Sequence, residues 1–170
     1  MNVLSTFIAS QTGRPFSLQA AHCLDFVADW LLLHGMDART AWRGQPSRGA
    51  TLALMADPDA LLLSTAAAAR CLGLTETDAP APGDIGLVRA QFVSHRRPTL
   101  VGAIRGDGLW YVKTARGVQA DAYASARAWS LPAQATLNVS GEARSAKTDA
   151  CGEARRAKTD CVRHSPKGDA

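Results

Sequence analysis

A lone thiol at Cys23 and an imidazole at His95 are the side chains of this sequence best suited to covalent chemistry. A thiol hydrolase needs a thiolate nucleophile, a base that makes or holds it, and hydrogen-bond donors for the oxyanion. Cys23 stands where a half-polar approach, Arg14-Pro15-Phe16-Ser17-Leu18-Gln19-Ala20-Ala21-His22, runs into an amphipathic helix. Near a helix N-terminus, unpaired backbone N–H groups and the helix dipole favour a thiolate. His95 is the candidate base, on a loop ahead of a strand. His22 is adjacent to Cys23, but neighbours on a helix project about 100° apart, which makes a direct contact poor. His34 is three turns away, and His164 lies in the tail. The plain alternatives are a small buried residue at Cys23 and a solvated loop residue at His95.

The other chemistry-bearing types give less. The remaining cysteines are Cys71, Cys151 and Cys161, and no pair has the close C-x-x-C spacing of a zinc or redox site. Cys71 reads as a small buried apolar residue inside a helix. Asp84, after Gly83, reads as the cap of a turn through local backbone bonds. Trp30, Trp42, Trp110 and Trp129 are spread along the chain as core or rim residues and form no stacking ladder. Nothing in the pattern points to a metal, a nucleotide or another cofactor.

The elements that must position these residues follow from periodicity. Met1 to Gln11 is mostly apolar and reads as a first helical turn on the core. A helix is expected over Leu18–Leu33, stopped by Gly35, with Leu24, Val27, Ala28 and Leu31 as its buried face. Cys23, Val27 and Trp30 form a neighbouring stripe, so Cys23 sits near the buried seam. A short helix is expected over Ala50–Met55. Asp57-Pro58 signals the start of another that ends at Gly73. Beyond Pro80-Ala81-Pro82 the period changes. Gly83–Val88 starts a strand, Thr99–Arg105 and Leu109–Thr114 form a hairpin about Gly106-Asp107-Gly108, and Ala128–Leu131 closes the sheet. The expected fold is α+β, with N-terminal helices packed on an antiparallel β-meander.

Residues 1–132 carry every aromatic residue of the chain. Residues 133–170 hold only Leu137, Val139 and Val162 as large aliphatics, too little apolar surface to offset chain entropy. The expectation is one domain over 1–132 and a disordered tail over 133–170. The tail carries a repeat: Gly141-Glu142-Ala143-Arg144 returns as Gly152-Glu153-Ala154-Arg155, 11 residues on. A recent duplication explains it, with a charged contact tail as the alternative.

The order of these motifs resembles the NlpC/P60-like, papain-like cysteine hydrolases. His22-Cys23 leading Phe26-Val27-Ala28-Asp29-Trp30 looks like their Asp-Cys-led helix. Gly83-Asp84-Ile85 looks like their strand-opening Gly-Asp, and Leu100-Val101-Gly102-Ala103-Ile104 like their His-Val-Gly-Ile strand. Trp42-Arg43-Gly44 and Ala126-Arg127-Ala128-Trp129 resemble a phage- and prophage-associated, uncharacterised branch, DUF6950-like, more closely. The resemblance spans about Arg14 to Leu131. It implies an NlpC/P60-like fold with Cys23 as nucleophile, but Leu100 stands where the resemblance puts the catalytic histidine.

Two function classes stay open. One is a non-catalytic or degenerate relative with a role in phage tail assembly or structure, its partners other tail proteins. The other is an active cysteine hydrolase cleaving an amide bond of cell-wall peptide type. The net charge of +4 is spread out, which argues against nucleic acid as a partner. No apolar run approaches the roughly 20 residues of a membrane span, and no secretory signal precedes the domain. The expected location is cytoplasmic, or within a phage particle.

Overall fold

Helices come first and strands afterwards, as the change of period requires. The computed structural model describes residues 2–14, 23–38, 53–54, 56–92 and 98–132. All of these fall within Met1–Asn138, the first of two units in the chain. The expected boundary at 132/133, the tail with its repeat, His22, Trp42 and His95 lie outside the described residues. Most of the short helix expected over 50–55 does too.

Three helices of eight or more residues are described. The first, α1 (Val3–Thr12), is longer than the single turn expected, and Asn2 caps it by accepting the Leu4 N–H at 3.2 Å. The second, α2, covers Cys23–Leu33. Its buried residues are Cys23, Leu24, Phe26, Val27, Ala28, Trp30 and Leu31. The large ones among them each contribute about 1.5–3 kcal/mol of burial. The third, α3 (Pro58–Cys71), opens as expected, with the Asp57 carboxylate accepting the Asp59 and Ala60 N–H groups.

Six strands form one antiparallel sheet: β1 (Thr75–Glu76), β2 (Ile85–Ala90), β3 (Thr99–Arg105), β4 (Trp110–Thr114), β5 (Gly117–Asp121) and β6 (Ala124–Ser130). Their order is β1-β6-β2-β3-β4-β5. Strands β2 to β5 form a meander, of which β2, β3 and β4 are expected, and β6 returns to pair with β2. Two strands, β1 and β5, are additions to the sequence expectation. Each lacks a run of large apolar residues: β1 is Thr-Glu and β5 is Gly-Val-Gln-Ala-Asp.

Strand alternation divides the sheet's two sides. Gly102 faces α2, where a Cβ would meet the Cys23 carbonyl oxygen at 2.9 Å and Val27 Cγ2 at 3.1 Å. Leu100, Ile104 and, across the ladder, Leu87 and Ile85 share that side. On the other side Gly86 leaves room for the Trp110 indole, which a Cβ would meet at 2.9 Å. Arg105 stacks its guanidinium over that ring at 5.3 Å.

Cys71 corrects one expectation, because it is exposed. The buried line of α3 runs through Leu61, Thr65, Ala68 and Ala69. Cys71 continues instead the outward line of Leu63 and Ala67 at four-residue steps. The apolar run suggests burial all round, whereas its burial is one-sided.

Candidate functional site

Cys23 is placed by a gap in the sheet. The β3–β4 ladder runs through Arg105–Trp110, Ile104–Tyr111 and Ala103–Val112, then stops. Just past β3, Gly106 bonds toward the β4 side through Leu109, and at its end Arg105 bonds toward β2 through Gly83 and Asp84. By alternation the Gly102 N–H also points to the β4 side, but β4 has left. That amide is instead taken up by the Cys23 thiol. The missing Cβ at Gly102 permits the close approach of α2 that this bond needs.

The strand that departs is held elsewhere. Lys113, the next residue of β4, is 2% exposed, and its Nζ donates to the Gln11 carbonyl oxygen at 2.8 Å. A cation at the C-terminal end of α1 complements the helix dipole there. Burial and the nearby Arg14 push the Lys113 amine below its usual range, while Asp29 pulls it back up. Lys113 thus ties α1 to β4 at the level where β4 leaves β3.

The electrostatics at the sulfur oppose ionisation. Burial pushes the Cys23 thiol above its ordinary value of 9.0. Hydrogen bonds from the backbone of Gly102, Leu24 and Cys23 itself pull it down, and the Asp25 carboxylate adds a smaller upward push. Burial wins, so Cys23 is a neutral thiol at pH 7. At 3% exposure it also offers little surface to a reagent.

Leu100 lies two residues before Gly102 on the same side of β3, and it is buried. A hydrocarbon there neither takes nor gives a proton. His34 is the only histidine among the described residues. It lies 11 residues beyond Cys23, about 16 Å along a helix at 1.5 Å per residue. Its ring packs edge-on against Trp30 with centroids 4.4 Å apart. His34 is therefore not brought to the thiol, and the place of His95 lies outside the described residues.

Asp84 acts as the sequence suggests and also further along the chain. Its carboxylate accepts the Ala81 N–H at 2.8 Å, closing the turn. It also accepts the Ser130 hydroxyl at 3.0 Å and the Leu131 N–H at 3.3 Å, fastening the end of β6. The Gly83 carbonyl before it accepts the Trp30 indole N–H at 2.7 Å, which fixes α2 over the sheet. The Gly-Asp step is thus a structural joint that orients the helix carrying Cys23.

Over residues 1–131 the sequence matches a family described as a domain of unknown function, DUF6950. The chain belongs to the DUF6950 family. No curated protein and no solved structure matches it. In this DUF6950 domain the thiol and the Gly102 amide come together at one end of α2, with Leu100 two residues away on the same side of β3. Among the described residues no group of three or more His, Cys, Asp or Glu side chains is placed to hold a metal ion. No helix among them is long and apolar enough to cross a membrane.

Two of these relationships are absent from the sequence expectations. A glycine inside the apolar run Val101-Gly102-Ala103 is a signal of close backbone approach, and it could have located the first. The Lys113–Gln11 contact joins residues 102 positions apart and has no such signal.

Proposed function

We propose that this DUF6950 domain is a non-catalytic relative of the NlpC/P60-type cysteine hydrolases, retained for phage or prophage tail assembly or structure. The supporting observation is the environment of Cys23: a buried, neutral thiol with a buried leucine on the facing strand. An acyl-transfer nucleophile needs a base or ion-pair partner within hydrogen-bond reach, directly or through one water. The phage setting rests on the resemblance carried by Trp42-Arg43-Gly44 and Ala126-Arg127-Ala128-Trp129, and other tail proteins are the partners it implies.

One observation favours a second reading, an active hydrolase of amide bonds of cell-wall peptide type with Cys23 as nucleophile and His95 as base. Backbone amides already converge on the sulfur, as they would on a thiolate. Incubating the full chain and its Cys23→Ala variant with cell-wall peptides and with generic peptide amides separates the two. The non-catalytic reading expects equal background turnover from both proteins. Hydrolysis that disappears in Cys23→Ala and falls sharply in His95→Ala would overturn it.

A further inference from the structure

The outward side of α3 carries a pattern that maps onto itself. Asp59 stands in the first turn of the helix and Arg70 in its last. Leu63 and Ala67 lie between them, and all four residues are exposed. At about 100° per residue, Asp59, Leu63, Ala67 and Arg70 fall within an arc of about 80°, so they share one face. Leu63 is 71% exposed, more than any other large apolar side chain among the described residues. A single exposed leucine is ordinary on a protein surface. This one is flanked by Ala60, Ala66 and Ala67 and bracketed by one charge of each sign. Asp59 and Arg70 lie about 16 Å apart along the helix, too far to pair within one chain. Among the described residues neither side chain has a hydrogen bond or an ion pair.

We propose that α3 packs antiparallel on the α3 of a second copy of this chain, across a two-fold axis at the level midway between Ser64 and Thr65. In that register Asp59 stands level with the second copy's Arg70, and Arg70 with its Asp59. Leu63 stands level with the second copy's Ala66, and Ala67 with its Leu62. Both charge pairs therefore close together, one at each end of the contact. The order of the charges selects the direction, since parallel helices would set Asp59 beside Asp59 and Arg70 beside Arg70. It also selects the occupant. The face asks for a base, small residues around one apolar knob and an acid at matching spacing, and α3 itself presents that series. Opposed helix dipoles favour the same arrangement. Alanines around Leu63 let the two axes approach to about 8 Å, the close end of the range for packed helices, so each leucine is covered. The inward face of α3, through Leu61, Thr65, Ala68 and Ala69, stays on its own core. One helix pair lies at the small end of protein interfaces, so the dimer is a concentration-dependent one. This inference does not rest on the reading of Cys23.

Sedimentation velocity of the full chain under reducing conditions, from about 1 µM to about 1 mM, the range of weak complexes, tests it. The expected result is a monomer that becomes a dimer as concentration rises. Leu63→Glu, at an exposed site, abolishes the dimer and leaves the thermal midpoint unchanged. Asp59→Arg and Arg70→Asp each set like charges level with one another at both ends and weaken the dimer about tenfold or more. Mixing these two variants restores association, because a copy with two arginines on this face then meets a copy with two aspartates. Circular dichroism confirms that each variant is folded. A chain that stays monomeric throughout, a dimer indifferent to Leu63→Glu or to the single charge reversals, or a mixture that associates no better than either variant alone overturns the proposal.

Discussion

The Gly102 amide and the Cys23 sulfur are hydrogen-bond partners because β4 has parted from β3 beside them. A ladder that continued one residue further would direct this N–H into the sheet. Lys113, the next residue of β4, caps α1, and Leu100 is buried on the side of β3 that faces α2. The thiol is thereby enclosed by backbone and hydrocarbon, and its neutral form is the stable one.

Gly102→Ala tests this packing. The added methyl meets the Cys23 carbonyl oxygen at 2.9 Å and Val27 Cγ2 at 3.1 Å. The first of these is backbone, so α2 must move outward. Urea denaturation should show a loss of about 1–3 kcal/mol, the usual cost of overpacking. A variant as stable as the parent would show that α2 does not lie this close to β3.

Asp84→Ala should cost about as much for a different reason. It leaves the Ala81 and Leu131 N–H groups and the Ser130 hydroxyl without their acceptor. Stranded donors in a part-buried site cost about 1–3 kcal/mol in total. Asp84→Asn keeps one acceptor oxygen and should lose less. Equal losses in the two variants would remove the hydrogen-bonding account of the Gly-Asp step.

Thr65→Val should stabilise the domain. Thr65 is 8% exposed, and its hydroxyl has no hydrogen-bond partner among the described residues. It borders an apolar cavity between α2, α3 and the sheet, beside Leu24, Leu31 and Trp129. Exchanging the hydroxyl for a methyl of similar shape should add about 1 kcal/mol. A destabilised variant would mean that the hydroxyl is bonded in solution.

Alkaline pH should weaken the fold through Cys23. Folding raises this pKa, so its contribution is complete below about pH 9 and declines as pH rises from the unfolded thiol's pKa toward the folded one. The stability advantage of the parent over Cys23→Ala, read from urea denaturation, should therefore shrink between about pH 7 and about pH 10. An advantage that grows over this range would mean that the folded state holds a thiolate.

Much of the fold is legible in the sequence where the signal is local. The Asp57-Pro58 start of α3, the hairpin of β3 and β4 and the buried stripe of Cys23, Val27 and Trp30 follow from caps, turns and periods. The strands β1 and β5 are not legible, because Thr75-Glu76 and Gly117–Asp121 are set by pairing with a neighbour and not by their own apolar pattern. The exposure of Cys71 is hidden too, because an alanine-rich run gives no clear face. At the site, the thiol and the leucine opposite it can be read from motif order. The Gly102 bond cannot, since it depends on where a ladder ends.

The most direct test of a buried, neutral Cys23 is the alkylation of native protein by iodoacetamide, with modification at each cysteine followed over time by mass spectrometry. Cys71 is exposed and serves as the internal reference. The expected result is that Cys71 labels readily at about pH 7.5, whereas Cys23 labels only as fast as the domain unfolds and so accelerates in urea. Labelling of Cys23 in the folded protein as fast as Cys71, slowed by His95→Ala, would show an activated nucleophile and contradict the non-catalytic reading.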